Sequence, residues 1–317
     1  MTDILTITLN PALDFATATE ALAPESKLRC EAPAFDPGGG GINVARAIQL
    51  LGGQASALIA IGGQTGAELL SRLAMEGVRS IAFQGPGETR QSVSVITRST
   101  GQQYRFVMPG PEWGERDVDR ALQAIDRATA GGALVVLSGS QPPGVAKDFP
   151  AILSRHVAGR EAALIVDTSG PALRHLAEDT ATPLFTLRMD DGEAEDLAGR
   201  PLPTRKDTAS FARELVDRGA ARNVIVARGA DGSVLANDRG AWHAKVPEVE
   251  TRSLVGAGDS FVGAYVLAVA EGATLEDALT RGVAAAGAAV TTDATELCRP
   301  EDVAALYAQA SLTRIGP

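Results

Sequence analysis

Two hydrophobic periods alternate along this chain. Residues 3–9 are β-branched and alternate between apolar and polar, which predicts a buried strand. Apolar residues at 42, 44, 47, 48, 50 and 51 fall mostly on one face of a helix. A strand at 56–61, a helix at 66–76 and a strand at 79–83 continue a β-α-β rhythm. Residues 133–137 are apolar throughout, as in a parallel strand covered on both faces, and 163–166 and 223–227 repeat that pattern later. Helices are predicted over 115–129, 261–270, 275–290 and 301–310. Two stretches break the rhythm. Residues 15–35 are punctuated by proline, and 89–108 alternate around Thr100-Gly101, so both read as hairpin material. Residues 234–235 and 241–246 predict a late antiparallel extension. The pattern is that of an α/β protein with a small β appendage.

Composition narrows this. At 317 residues the chain is one large domain or a domain with an addition. Its 45% hydrophobic and 21% charged residues are globular proportions, and with only 4% aromatics the core must be Ala, Val, Leu and Ile. A net charge of −10 without a basic cluster counts against a nucleic-acid partner. It leaves small phosphorylated ligands open, because a few local arginines suffice for those. Two cysteines offer no disulfide framework, and three scattered histidines have no zinc-ligand spacing. Neither a basic leader nor a membrane-length apolar segment is present, so a cytoplasmic protein with no membrane partner is expected.

Several stretches carry candidate chemistry. Gly256, Ala257 and Gly258 precede the apolar helix at 261–270, where free amides and the helix dipole attract anions. Asp259 beside them has the chemistry to take a proton from an attacking hydroxyl, although a turn and a capping aspartate would look the same. Four glycines, 38–41, stand before the helix at 42–51, with Asn43 in its first turn, an arrangement that lets backbone approach a ligand. No Lys-Ser/Thr follows them, so this is not a Walker A loop. Asp14 follows the first strand, and Ser138 to Gly144 follow the strand at 133–137. Both lie at the carboxyl ends of strands, where α/β proteins bind ligands. Lys27 and Arg29 alternate with Leu28 and Cys30 and would share one strand face, and Arg90 opens the second hairpin.

On these elements the chain resembles the ribokinase-like, phosphofructokinase B-type carbohydrate kinases, over residues 4 to about 310. The resemblance rests on Gly256-Ala257-Gly258-Asp259, on Gly38 to Ala47, on Asn10-Pro11 with Asp14, and on Ser138 to Gly144 with Gln141 in place of Leu. Gly40, where several branches carry Lys, is similar to the 6-phosphofructokinase branch. The resemblance implies a three-layer α/β/α sandwich with a small β-sheet lid. The core would comprise 1–12, 36–85 and 112–317, and the lid 13–35 and 86–111, which would also make a homodimer interface. It implies MgATP-dependent conversion of fructose 6-phosphate to fructose 1,6-bisphosphate. Alternatives are 1-phosphofructokinase, tagatose-6-phosphate kinase, or a sugar-phosphate-binding protein whose kinase activity has decayed.

Each implied role falls on a matching position. Asp259 would be the base and Gly256, Ala257 and Gly258 the anion hole; Asp14, Lys27, Gly39, Asn43, Arg90 and Ser140 would hold the sugar phosphate. Arg188, Asp190, Ala227, Gly229, Gly232, Val283 and Gly287 would face the nucleotide, and Glu193 with Asp190 would hold Mg²⁺ through water. Ser253, Val255, Ala289, Thr292 and Ala294 match positions of a backbone K⁺ site. The chain departs from the family where Lys-Pro-Asn-x-x-Glu becomes Arg188-Met189-Asp190-Asp191-Gly192-Glu193, and where Ala227 replaces a hydroxyl residue.

Overall fold

The structure, a computed structural model, describes residues 2–178, 181–293 and 296–316. The first half runs β1 (Ile4–Thr8), β2 (Ala12–Thr19), β3 (Ala34–Gly38), α1 (Gly40–Leu50), β4 (Ser56–Ile61), α2 (Gly63–Met75), β5 (Arg79–Gln84), β6 (Arg90–Thr97), β7 (Gln103–Val107), α3 (Glu115–Ala128) and β8 (Leu134–Ser138). The second half runs α4 (Phe149–Ala158), β9 (Ala163–Asp167), α5 (Gly170–Glu178), β10 (Leu184–Met189), α6 (Asp191–Ala198), α7 (Arg205–Arg218), β11 (Ala221–Ala227), β12 (Ser233–Asn237) and β13 (Gly240–Lys245). It closes with α8 (Ala257–Ala270), α9 (Leu275–Ala289), α10 (Pro300–Ala308) and β14 (Ser311–Ile315).

The large sheet has ten strands in the order β14-β13-β12-β11-β10-β9-β8-β1-β4-β5. From β11 to β5 all neighbours are parallel, and β12, β13 and β14 add antiparallel. Strand residues alternate between two cores. Val135, Leu137, Leu164, Val166, Leu187 and Met189 face one core with Ile125 of α3, Phe149 of α4, Leu173 of α5 and Phe211 of α7. Leu134, Val136, Ile165 and Ile225 face the other, with Val44 of α1, Phe261 of α8 and Leu279 of α9. This is a three-layer α/β/α sandwich. β1 is its switch strand: the chain leaves it toward β4 on one side and β8 pairs on the other, which opens a crevice at the carboxyl ends.

A separate four-stranded sheet runs β3-β2-β6-β7, with β2 and β6 parallel. β2 and β3 pair antiparallel, as expected of hairpin material at 15–35, but the structure corrects the strand expected to carry Lys27 to Cys30. β2 starts at Ala12 and β3 only at Ala34, and residues 20–33 between them form no regular strand. Pro24 and Pro33 lack the amides a ladder needs. Lys27 and Arg29 therefore do not share a strand face; both are exposed on this irregular segment.

Other differences are local. α8 begins at Ala257, so Gly258 and Asp259 stand in its first turn rather than before it. The chain does not close on a helix at 301–310: α10 stops at Ala308 and β14 pairs with β13, Trp242 opposite Arg314. Among the described residues, no helix is long and apolar enough to cross a membrane.

Candidate active site

The site assembles from three strand ends and two helix starts. In the parallel register Ser138 of β8 stands beside Asp167 of β9, and Asp167 beside Arg188 of β10. All three project to the face covered by α1 and α8. Asp259, half-buried in the first turn of α8, meets this row: Ser138 Oγ donates to its Oδ1 at 3.4 Å, and Asn43 Nδ2 from α1 donates to its Oδ2 at 2.9 Å. Arg46, one turn on, donates to Asn43 Oδ1 at 3.5 Å and is itself held by Glu76 at 2.6 Å. That contact fixes which way the Asn43 amide points.

Desolvation of Asp259 raises its pKa to about 6. The Asn43 hydrogen bond and the Arg188 charge pull it down, while the Asp167 carboxylate pushes it further up. A carboxylate with this value is ionised at neutral pH yet basic enough to accept a proton.

Arg188 is the cation of the site. Its Nη1 donates to both Asp167 oxygens at 3.0 and 3.1 Å, and its guanidinium lies 5.6 Å from the Phe261 ring centre. A Cβ on Gly258 would stand 3.0 Å from Nη1, so glycine is what admits the guanidinium to the α8 N-terminus. Arg188 Nε is buried without a hydrogen-bond partner among the described residues. Burial alone would lower the guanidinium pKa, but the carboxylates of Asp167, Asp259 and Glu193 together raise it, so the cation persists.

The glycine run is needed chiefly by the protein itself. A Cβ at Gly40 would lie 2.4 Å from Ser138 Oγ and 2.6 Å from the Ser138 carbonyl carbon, and one at Gly41 would lie 2.4 Å from the Ile7 carbonyl oxygen. Gly39 has φ 127°, a conformation that other residues rarely adopt. Gly38 leaves space for Asp14, whose Oδ2 a Cβ would approach to 2.1 Å. Gly40→Ala is thus expected to destabilise the fold by about 1–3 kcal/mol, measured by urea unfolding, because the atoms it meets are strand backbone.

Asp14 lies in β2, not in a turn, and pairs in register with Ser92. Burial raises its carboxyl pKa against the pull of Arg90, the Ser92 hydrogen bond and Arg105. Arg90 donates to the Asn10 carbonyl at 3.4 Å, to Ser92 Oγ at 3.1 Å and to the Met108 carbonyl at 3.3 Å. Arg90 and Ser140 line one cavity of about 660 Å³, together with Asn10, Gln141, Lys147 and Thr168. Ser140 is two residues beyond Ser138, but Asp259, Asn43, Gly39 and Asp14 are not among the residues that line this cavity.

On the other flank, Asp190 and Glu193 form a reciprocal capping box at α6, Glu193 N to Asp190 Oδ1 at 2.8 Å and Asp190 N to Glu193 Oε2 at 2.9 Å. Desolvation raises the Glu193 pKa, and the charges of Asp190 and Asp167 add to that. Gly229 and Gly232, just beyond Ala227, bracket a turn pinned by Asp231, which Arg205 and Arg228 hold at 2.5 and 3.2 Å. Gly232 has φ 84°, and a Cβ there would strike the Ala244 carbonyl. Val283 packs in the core, and Gly287 faces Val246 and Leu306. Ser253 N donates to the Val290 carbonyl at 3.3 Å, Val255 N to Ser253 Oγ at 3.1 Å, and Thr292 Oγ1 to the Ala289 carbonyl at 2.8 Å, which brings the 253–255 loop to the end of α9. Ala294 lies outside the described residues.

Sequence reasoning placed Ser138 only within a ligand-lining stretch and assigned no role to Asp167 or Arg46. The first two did carry a signal, since each is the last residue of an apolar strand.

A carboxylate with a raised pKa, the amide-rich start of α8 and a buried guanidinium thus meet at the carboxyl ends of the parallel strands. Residues 1–302 match the pfkB family carbohydrate kinases. The chain belongs to that family. It is 41% identical over 311 residues to the ATP-dependent 6-phosphofructokinase isozyme 2 of Escherichia coli, covering 98% of this chain and 100% of that protein. The structure of phosphofructokinase-2 from E. coli in complex with fructose-6-phosphate superposes with a TM-score of 0.88 at 38% identity, over 97% of this chain and 99% of that one. A 1-phosphofructokinase from Borreliella burgdorferi is more distant, 29% identical over 96% of this chain and 97% of its own.

Proposed function

We propose that this protein is an ATP-dependent 6-phosphofructokinase, transferring the γ-phosphoryl of ATP to the 1-hydroxyl of fructose 6-phosphate. The observation that carries this is the Asp259 carboxylate, fixed by Asn43 and Ser138 at the amide-rich start of α8 and beside Arg188. Asp259 takes the hydroxyl proton as the oxygen attacks phosphorus. The amides of Gly256, Ala257 and Gly258 and the Arg188 guanidinium face the charge that develops on the phosphoryl oxygens.

Asp14, Gly39, Asn43, Arg90 and Ser140 hold the sugar phosphate in this reading, and Lys27 reaches it from the exposed 20–33 segment. Arg188, Asp190 and the Gly229–Gly232 turn face ATP. The carboxylates of Asp190 and Glu193 are hard oxygen donors that fit Mg²⁺ held partly through water, the usual arrangement for a triphosphate-bound ion. When bound, Mg²⁺ offsets triphosphate charge. A K⁺ ion held by backbone carbonyls is our reading of the place where the 253–255 loop meets the end of α9; the E. coli relative has been solved in complex with potassium.

The four-stranded sheet serves as a lid over the sugar. It exposes Tyr104, Phe106, Val107 and Met108, apolar surface that pairing with a second lid would cover, so a homodimer is our reading of the assembly. A tetrameric inhibited form is known for the E. coli relative. The cytoplasm is the compartment that supplies ATP and the sugar phosphate.

The test is a turnover screen of purified protein with MgATP and fructose 6-phosphate, fructose 1-phosphate and tagatose 6-phosphate. The highest kcat/KM is expected for fructose 6-phosphate. No ADP with any of them overturns the proposal; calorimetric binding of sugar phosphate without ATP would then leave a binding protein.

A further inference from the structure

Four cations from three stretches line a second cavity of about 640 Å³ between α7 and the β13–β14 edge of the large sheet: Lys206 and Arg213 of α7, Arg239 and Arg314. On a chain of net charge −10 this concentration runs against the surrounding surface. Carboxylates answer two of the four. Arg213 Nε meets Asp217 at 3.0 Å, and Arg239 Nη2 meets Glu276 at 3.4 Å. Among the described residues, no carboxylate lies within ion-pair distance of Lys206 or Arg314.

Arg314 and Arg239 are also held in place by contacts other than ion pairs. Arg314 Nη2 donates to the Arg239 carbonyl at 2.9 Å. Arg314 and Arg239 both lie over the Trp242 ring, 5.8 and 6.0 Å from its centre. Gly240, at the turn into β13, gives Arg314 its room, since a Cβ there would stand 3.1 Å from Nη2. Ala209, Ala241 and Ile315 make the rest of the wall apolar.

The cavity is remote from Asp259. Asn237 pairs with Asn223, so the β12–β13 turn lies at the amino end of β11. Ser138 and Asp167 stand at the opposite, carboxyl rim. Four strand spacings, about 19 Å, separate β13 from β9.

We propose that this cavity binds a small multivalent phosphate anion. Planar guanidinium forks match phosphate oxygens. The cavity's size and partly apolar wall suit a phosphorylated metabolite, and the net negative charge of the chain disfavours an extended nucleic acid.

The test is titration calorimetry of tripolyphosphate into the full chain at low ionic strength, where screening is weak. Binding is expected in the parent, weakened about tenfold or more in Lys206→Glu/Arg314→Glu and less in Lys206→Gln/Arg314→Gln. Turnover of both double variants should equal that of the parent, which also shows that they fold. Arg188→Met, altered in the catalytic cleft and checked as folded by circular dichroism, should keep the remote binding. Equal binding in parent and Gln variant, binding lost in folded Arg188→Met, or no binding in the parent overturns the proposal. These readouts are independent of which sugar phosphate the enzyme uses.

Discussion

Replacing Asp259 by Asn is expected to lower kcat by about 10²- to 10⁴-fold and, at the same time, to make the protein more stable at pH 8. Both effects come from one feature, a carboxylate kept out of water. The activity loss follows because an amide cannot take the hydroxyl proton while the α8 amides and Arg188 remain to bind phosphate. The stability gain follows from linkage. The folded-state pKa of Asp259 is raised from 3.8 to about 6. Such a group favours the fold while protonated. Its contribution is fully present below pH 3.8 and is lost as pH rises through about 6. The whole shift corresponds to roughly 3 kcal/mol, an upper figure because the group is half-buried.

Asn in the same place can accept from Asn43 and donate to Ser138, so it keeps the contacts without the charge. Urea unfolding at pH 4 and pH 8 should therefore show parent and variant nearly equal at pH 4 and the variant ahead at pH 8. In the parent, kcat/KM should fall on the acid side with a midpoint near pH 6. A variant no more stable at pH 8 would mean the carboxylate is solvated.

Arg188→Met should cost about 3–5 kcal/mol of stability, the larger structural effect of the two. The change leaves Asp167 in place, only 14% exposed and without its cation. Stability of the pair comes from both partners together, so removing one is worse than never having had either. Turnover should fall as well, because the cation beside Gly258 is gone.

The pH profile separates this from simple loss of packing. Arg188 holds the Asp259 pKa down and Asp167 pushes it up. Arg188→Met should therefore move the acid limb above pH 6, and Asp167→Asn should move it below. A limb that stays put in both would mean that neither charge reaches the base.

Much of this architecture was legible along the chain. Burial on both faces is a property of each strand by itself, so 133–137 and 163–166 announce a parallel sheet without reference to their neighbours. Gly256 to Asp259 before an apolar helix likewise carries its chemistry locally. Residues 20–33 did not read true, because alternating charges look the same on a strand and on an irregular loop. β14 escaped because a five-residue edge strand is specified mostly by its pairing with β13.

The sequence alone determined the α/β class and singled out Asp259 and the glycine-rich start of α8 as the candidate chemistry. Only the tertiary structure decided what surrounds them. The row Ser138–Asp167–Arg188 exists because two crossovers set three strands in register, and no spacing along the chain encodes that. Arg46 became the support of Asn43 through the packing of α1 on α2. Lys206, Arg213, Arg239 and Arg314 are scattered cations in the chain, and they become one cavity only when α7 is laid against β13 and β14. Electrostatics depends on distance through space, and it is folding that sets those distances.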